Sequence, residues 1–281
     1  MSKINILGVK IDCIRSNEVL TKIQSWLNKS QKKYIVTPNP EFVIYAQKDQ
    51  EFKNILNQAA LAIPDGIGLL WATKFLDLRV KSKKFITLEI FWQYLYTLLS
   101  IIFYPKYCRE IIPERVTGID LIYKISKFCE QKNCSIYLLG AKEGIAKIAA
   151  SKLKNQFPNL KIAGTFSGKP DPKADQKIQA IINYAKPDIL FVAFGAPKQE
   201  KWIARNLAKL KTVKIAMGVG GAFDFIAGKI KRAPKFFQKR GLEWLWRVAR
   251  EPWRVPRILT ATIKFSRRVL QDKIKKTGKT R

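Results

Sequence analysis

One carboxylate, Asp65, stands where an apolar run of the chain gives way to a turn and then to a helical pattern. Residues 59–63 are apolar, Gly66 follows the acid, and apolar residues recur with helical spacing to about residue 78. In open α/β sheets the ligand site lies at the carboxyl ends of the strands, so Asp65 is a candidate general base. On this stretch alone, however, the favoured interpretation is that Asp65 caps the helix at 66–78.

The chain contains no histidine. Catalytic sites built on Ser-His-Asp or Cys-His and zinc sites with histidine ligands are therefore excluded, and a general base must be Asp or Glu. The four cysteines, Cys13, Cys108, Cys129 and Cys134, show no Cys-x-x-Cys spacing. They are typical of reduced cytosolic thiols, so we expect neither a metal nor a cofactor.

Two glycine-rich turns offer a second kind of chemistry. Gly218-x-Gly220-Gly221 and the turn at 140–144 each follow an apolar run and precede a helical pattern. Such turns can present backbone N–H groups to a phosphate, although their glycines can equally serve only to make tight turns. Their spacing is not the dinucleotide fingerprint, so a dehydrogenase-like function is weakly supported.

Apolar runs alternate with helical patterns along most of the chain. Predicted strands cover residues 4–11 (a strand or hairpin), 34–37, 59–63, 135–139, 161–166, 189–194 and 213–217. Predicted helices cover 17–27, 41–60, 66–78, 118–130, 144–157, 171–185 and 197–210. Several strands are apolar on both faces, which is typical of a parallel sheet covered by helices. The predicted fold is therefore α/β: a Rossmann-like, mostly parallel sheet with helices on both faces, in a catalytic domain spanning 1–228.

Positive charge is in large excess and is concentrated at the C-terminal end. The chain has 53 lysines and arginines against 21 acids, a net charge of +32. Residues 229–281 alone carry 18 Lys or Arg and three acids, interleaved with aromatic residues. A basic, aromatic-rich, helical appendage is typical of a protein that binds an anionic membrane surface. A solvated charged face, or binding to RNA or DNA, are the alternatives.

A hydrophobic insert at about 81–113 interrupts the alternation. Residues 85–104 are about as long as a membrane span and are flanked by Lys81, Lys83, Lys84, Lys106 and Arg109. A single crossing would put two halves of one sheet on opposite sides of the bilayer. We therefore expect an interfacial or re-entrant helix pair, or a helix buried against the domain. The N-terminus lacks the continuous apolar core of a signal peptide.

Eight short stretches, in order along the chain, resemble the WecG/TagA/CpsF family of bacterial glycosyltransferases. They are TPNPE (37–41), IPDGIG (63–68), RVTGID (115–120), FGAPKQE (194–200), GVGGAFD (218–224), RAP (232–234), GLEWLWR (241–247) and EPWR (251–254). The resemblance implies a membrane-associated, metal-independent, inverting transferase. Such an enzyme would move an N-acetylmannosamine-type sugar from UDP to N-acetylglucosamine on a polyprenyl diphosphate, in cell-surface polysaccharide synthesis.

The resemblance also implies roles for individual residues. Asp65 matches the family's proposed general base. The implied substrate-binding residues are Thr37, Asn39, Arg115, Gln199, Gly220, Gly221, Asp224, Arg247, Arg254 and Arg257. Thr37 and Asn39 would lie near the base, Asp224 would lie near the nucleotide, and the last three arginines would belong to an appendage that closes over the site. Typical members replace the 81–113 insert with a short link.

The partners expected from these patterns are a UDP-sugar, a polyprenyl-diphosphate-linked sugar and an anionic membrane surface, at the cytoplasmic face of the plasma membrane. No nucleic acid is expected, although a basic RNA- or DNA-binding protein with a Rossmann-like core is the main alternative. A non-catalytic membrane scaffold is a further one. The donor sugar and the existence of a homo-oligomer stay open.

Overall fold

The computed structural model describes residues 2–29, 31–82, 84–112 and 114–279; Lys83 and Pro113 of the predicted insert lie outside them. Six parallel strands form one sheet in the order β4-β3-β8-β7-β5-β6, and β1 and β2 form an antiparallel hairpin. The strands are β1 Lys3–Ile6, β2 Val9–Asp12, β3 Lys33–Val36, β4 Leu61–Ala62, β5 Ser135–Gly140, β6 Lys161–Phe166, β7 Ile189–Ala193 and β8 Ile215–Gly218. The parallel α/β prediction is therefore confirmed, and so is the N-terminal hairpin.

Fourteen α-helices connect and cover these strands within the described residues. They are α1 Ser16–Asn28, α2 Pro40–Tyr45, α3 Gln50–Gln58, α4 Ile67–Asp77, α5 Ile86–Phe103, α6 Gly118–Lys132, α7 Ile145–Gln156, α8 Asp175–Ala185, α9 Lys198–Asn206, α10 Ala222–Ile226, α11 Lys235–Arg240, α12 Glu243–Arg250, α13 Val255–Leu259 and α14 Phe265–Lys279. One π-helical turn, Thr260–Lys264, joins α13 to α14.

The helices lie in two layers, one on each face of the sheet, and each layer packs on buried side chains at alternate strand positions. Ile189 and Phe191 of β7 pack with α1, α6, α7 and α10, whereas Leu190 and Val192 pack with α8 and α9 on the other face. Side chains of a strand point alternately to opposite faces, so a strand apolar at every position must be covered on both sides. This pattern explains why the sequence predicted the sheet well.

Several predicted boundaries were wrong for local reasons. The helix predicted at 41–60 is two helices, because Asp49 caps α3 by accepting a 2.9 Å hydrogen bond from the Phe52 N–H. The helix predicted at 171–185 begins with a separate 3-10 turn at Pro172–Ala174. The strand predicted at 59–63 has only two strand residues, and the helix predicted at 197–210 ends at Asn206.

Within the described residues, the predicted insert contains one α-helix, α5, and a short 3-10 helix at Tyr107–Arg109; of the two predicted alternatives, the helix packed against the domain is the one observed. The inner face of α5 packs on α4 and α14, with Ile90, Thr97 and Ser100 buried. Two hydrogen bonds fix it, from Trp71 Nε1 to Thr97 Oγ1 and from Tyr94 Oη to Ser266 Oγ, each 3.0 Å long. Within the described residues, α5 alone has the length and apolar composition of a membrane-crossing helix, which is weak evidence by itself.

The basic C-terminal residues form helices α11 to α14, which we call the tail (residues 229–279). Phe265 and Val269 of α14 are buried in the same apolar cluster as α4 and α5. Lys273 is also buried: its ammonium group donates to the carbonyl oxygens of Phe75 and Leu78. The end of the tail is thus packed into the molecule.

Candidate active site

A cavity of about 710 Å³ opens at the carboxyl edge of the sheet, where the turns after β3, β4, β7 and β8 meet the tail. From β3 the chain continues to β4 on one side of the sheet, whereas β8 lies on the other side of β3. Ligand sites in open parallel sheets usually lie at the carboxyl ends of the strands at such a switch point. The lining includes Asp65 and nine of the ten predicted substrate-binding residues: Thr37, Asn39, Arg115, Gln199, Gly220, Gly221, Arg247, Arg254 and Arg257. Residues from distant parts of the sequence therefore share one cavity.

Asp224 is the predicted site residue that does not line this cavity. It lies on α10, and its backbone carbonyl accepts hydrogen bonds from the N–H groups of Lys229 and Ile230, 2.9 and 3.2 Å long. Ala222 and Phe225 of α10 line the cavity, whereas Asp224, which lies between them in the sequence, does not. The expected contact between Asp224 and a nucleotide therefore receives no support from this geometry.

Asp65 lines the cavity and does not cap α4. The N-cap position is Gly66, whose φ of +116° suits glycine, and no side chain caps this helix. The Asp65 carboxylate instead lies near the backbone N–H of Gly118, which favours the ionised form of this acid. Burial raises the pKa of Asp65 to about 6, against the opposing effect of the Arg115 charge. A carboxylate with this pKa can take up a proton near neutral pH.

Arg115 joins the turn beside Asp65 to the tail. Its guanidinium group donates to the Glu243 carboxylate of α12, at 3.2 and 3.4 Å, and to the backbone carbonyl of Gln238, at 3.3 Å. The Arg115 side chain is only 10% exposed. The Arg115 guanidinium group is therefore ion-paired with Glu243, and its positive charge also favours the ionised form of Asp65.

Gln199 connects the turns that follow β7 and β8. Its side-chain oxygen accepts hydrogen bonds from the N–H groups of Gly195 and Gly220, at 3.2 and 2.9 Å. Its amide nitrogen donates to Glu200 Oε1 at 2.7 Å. Gly218 allows this arrangement, because a Cβ there would lie 2.7 Å from the Gln199 amide nitrogen. Gln199 lines the cavity, so its predicted binding of substrate stays a prediction, and its side-chain contacts hold two glycine turns in place.

Three tail arginines border the cavity, each paired with an acid. Glu251, which is buried, accepts hydrogen bonds from Arg247 at 3.0 Å and from Arg254. Arg257 forms a two-bond contact with Glu41, at 2.8 and 2.9 Å. Burial, together with the Arg247 charge, lowers the pKa of Arg254 below its usual range. Crowded guanidinium groups of this kind are suited to binding an anion with several oxygens, such as a diphosphate.

Sequence reasoning missed a second group of charged residues at the site. Arg232 lines the cavity and forms a two-bond ion pair with Asp120, at 2.5 and 2.8 Å. It also lies 3.7 Å from Glu243. Asp120, Arg232 and Glu243 all occur inside the stretches quoted for the family resemblance. The charged residues of those stretches were therefore the sequence signal that could have identified this group. Glu200, beside Gln199, is fully buried and was also missed.

The described lining residues carry more positive than negative charge. The cations are Arg115, Lys231, Arg232, Arg247, Arg254 and Arg257, and the acids are Glu41, Asp65 and Glu243. One acid of raised pKa facing a cationic wall can deprotonate a hydroxyl group while the wall stabilises a departing phosphate. Such a site suits transfer of a group from a phosphate ester to an alcohol. No cluster of three or more Cys, Asp or Glu that could hold a metal occurs among these described residues.

Comparison with known proteins agrees with this chemistry. The profile described as "Glycosyl transferase WecG/TagA/CpsF family" matches residues 4–98 and 99–279. The chain belongs to this family. It is therefore a glycosyltransferase, and the WecG/TagA/CpsF resemblance predicted from the sequence is confirmed. The two matched segments meet inside α5, within the predicted insert.

Relatives of this WecG/TagA/CpsF protein carry one specific name. A Bacillus subtilis (strain 168) protein named N-acetylglucosaminyldiphosphoundecaprenol N-acetyl-beta-D-mannosaminyltransferase is 30% identical over 92% of this chain and 91% of its own length. A Staphylococcus aureus (strain MRSA252) protein with the same name is 29% identical over 93% and 90%. Neither name supports the alternative of a nucleic-acid-binding protein.

Proposed function

We propose that this glycosyltransferase moves an N-acetylmannosamine-type sugar from UDP to N-acetylglucosamine on a polyprenyl diphosphate, with inversion and without a metal. The observation that carries the proposal is that Asp65 and the arginines of the tail line one cavity. The names of the two relatives support the choice of acceptor and of transferred sugar. UDP as the donor follows from the family resemblance.

The proposed reaction is a single displacement. The acceptor hydroxyl oxygen attacks the anomeric carbon, Asp65 takes the hydroxyl proton, and the bond between the anomeric carbon and the UDP oxygen breaks. The UDP oxygen keeps the bonding electrons, so negative charge develops on the diphosphate. Arg247, Arg254 and Arg257 would stabilise that charge in place of a metal ion. One displacement inverts the anomeric configuration.

The structure also supports binding to a membrane surface. One face of α5 exposes large apolar side chains at about every third or fourth residue, namely Leu88, Phe91, Trp92, Tyr96, Leu99, Ile102 and Phe103. An exposed apolar patch of this kind marks an interaction site rather than ordinary surface. The inner face of α5 is packed on the domain, so we propose that α5 lies in the interface at the cytoplasmic face of the membrane.

The proposed reaction is tested with the full chain, UDP-N-acetylmannosamine and a lipid-linked N-acetylglucosaminyl diphosphate, in the presence of EDTA. We expect release of UDP, formation of a disaccharide lipid and inverted anomeric configuration by NMR. Turnover that requires a divalent metal would contradict the proposed metal independence. A preference for another UDP-sugar would correct the donor, and the absence of any lipid-linked product would contradict the acceptor.

The membrane proposal has its own test, flotation with vesicles that contain anionic lipid. Trp92→Ser should reduce the bound fraction, because it removes an exposed apolar side chain from the outer face of α5. Tyr184→Ser is the matched control, since Tyr184 is also exposed but lies on α8. Equal loss of binding by both variants, or by neither, would contradict the role of α5.

A further inference from the structure

Part of the lining of the cavity that contains Asp65 is apolar and comes from α5 and the tail; we call this part the branch. α5 contributes Leu98, Ile101 and Ile102 to the branch, and the tail contributes Ile258 and Ala261. Walls of this composition remove hydrocarbon from water and offer few hydrogen bonds to a sugar or a nucleotide. The branch is therefore suited to an apolar chain.

The two walls of the branch are fixed to each other. The 3.0 Å hydrogen bond from Tyr94 on α5 to Ser266 on α14 joins them at residues that both line the cavity. Between Ile258 and Ser266 the tail forms its π-helical turn, which presents the small side chains of Ala261 and Thr262 to the cavity. π-Helical turns occur frequently at functional sites, and small side chains here leave space between the walls.

The branch reaches the outer surface of the molecule beside α5. Ile102 and Ile263 line the cavity and are nevertheless 53% and 63% exposed. Leu99 and Phe103, the neighbours of Ile102 on α5, are exposed as well. An apolar chain could therefore pass from a lipid surface into the cavity along a continuous apolar path.

Cationic side chains adjoin the apolar branch. Arg257 directly precedes Ile258 in the sequence, and both line the cavity together with Arg254. Arg257 is held by Glu41, which is on α2, the helix that follows the turn of Thr37 and Asn39. The cavity thus combines a general-base candidate, a group of guanidinium charges and an apolar path. This combination complements a sugar, a diphosphate and a hydrocarbon joined in one ligand.

We propose that the branch between α5 and the π-helical turn binds the first isoprenoid units of the acceptor lipid. This inference rests on the proposed function and adds the position of the lipid chain. The chain enters from the membrane between Ile102 and Ile263, while its diphosphate lies near Arg254 and Arg257. The 81–113 insert thereby acts in acceptor selection and not only in membrane attachment.

The test compares acceptors with a long polyprenyl chain and with a short, water-soluble alkyl chain, both carrying N-acetylglucosaminyl diphosphate. Ala261→Phe fills the branch. Ala249→Phe is the matched control, because Ala249 is an exposed tail residue that is not among the cavity-lining residues. We expect Ala261→Phe to lower the ratio of kcat/KM for the long over the short acceptor by about tenfold, and Ala249→Phe to leave that ratio unchanged. An unchanged ratio in Ala261→Phe would overturn the proposal.

A second measurement does not depend on turnover. A polyprenyl phosphate that carries a photoreactive group near its phosphate end is irradiated with the full chain, and the labelled peptides are mapped by mass spectrometry. We expect labels on α5 and on the π-helical turn, removed by unlabelled polyprenyl phosphate but not by phosphatidylglycerol. Labels elsewhere, or equal competition by phosphatidylglycerol, would overturn the inference.

The two measurements separate this inference from the proposed function. Specific labelling of the branch in a protein that transfers no sugar to a lipid acceptor would support the isoprenoid site and contradict the proposed reaction. Normal transfer to the long acceptor without labelling of the branch would support the reaction and overturn the isoprenoid site.

Discussion

Asp65 and the tail arginines face the same cavity, but the chain holds them in different ways. Asp65 lies three residues after the end of β4, and its backbone N–H donates to the Pro38 carbonyl at 2.8 Å. Arg254 and Arg257 are held by the side chains of Glu251 and Glu41. The position of Asp65, the proposed base, is therefore fixed by folding of the sheet, whereas the cationic wall depends on docking of the tail.

This difference also decides which experiments are informative. Truncation after residue 228 would remove Phe265 and Val269, which are buried against α4 and α5. A truncated chain would therefore lose core packing as well as arginines, and buried apolar side chains of this size stabilise a fold by about 2–5 kcal/mol each. Single substitutions test the two regions separately.

The largest effect is expected from Asp65→Asn. Loss of the general base should lower kcat by about 10²–10⁴-fold while UDP binding, measured by calorimetry, is retained. Asp224→Asn is the matched control, because Asp224 is the nearby acid that does not line the cavity, and it should stay within about twofold of the wild type. If both variants lose activity equally, the distinction between the two acids is wrong.

Arg254→Ala should lower kcat/KM by about a hundredfold, since a charge-assisted contact with a diphosphate contributes about 1.5–3 kcal/mol. Arg254→Lys should recover little, because an ammonium group cannot make the planar two-bond contact. Arg250→Ala, an exposed tail arginine that is not among the cavity-lining residues, is the control. Thermal unfolding of each variant shows whether the tail is still packed. Equal kinetics for the Arg250 and Arg254 variants would refute the role of the cationic wall.

The pH dependence tests the sheet edge without a substitution. Asp65 must be ionised to accept a proton, and burial raises its pKa to about 6. The value of kcat/KM for the wild type should therefore fall as the pH is lowered through this range, by about tenfold per pH unit once below it. Circular dichroism at the same pH values must show a folded protein. A rate that stays constant to about one unit below this pKa would mean that Asp65 is not the base.

The fold was predictable because its signals are local in the sequence. Strands such as β7, apolar at every position, and amphipathic helices such as α6 follow from residue patterns alone. The break between α2 and α3 was not predicted, because it depends on one hydrogen bond to Asp49. For the 81–113 insert the sequence left open a helix pair or a helix buried against the domain, because the packing of α5 on α14 joins parts of the chain that lie far apart in the sequence.

The sequence predicted site residues whose position follows from a nearby strand. It did not predict ion pairs between residues that are far apart in the sequence. Asp65 comes three residues after the end of β4, so its position at the sheet edge follows from the fold. The contacts of Arg115 with Glu243 and of Arg232 with Asp120 span more than a hundred residues, and no sequence pattern specifies them. Asp224 also follows a glycine turn but is not among the cavity-lining residues, so its contact with the nucleotide stays a prediction.

The smallest expected effect concerns stability. Glu200 is fully buried beneath the glycine turns, and burial raises its pKa to about 7 from an ordinary value of 4.5. Folding therefore favours the protonated form of Glu200. The contribution of this group to the free energy of unfolding is complete below pH 4.5 and is lost as the pH rises through about 7. Glu200→Gln keeps an acceptor for Gln199 but cannot ionise. From about pH 5 to about pH 8 the wild type should lose ~2 kcal/mol of unfolding free energy relative to this variant, as measured by urea denaturation. Parallel stability curves would show that Glu200 is not the group that couples the sheet edge to pH.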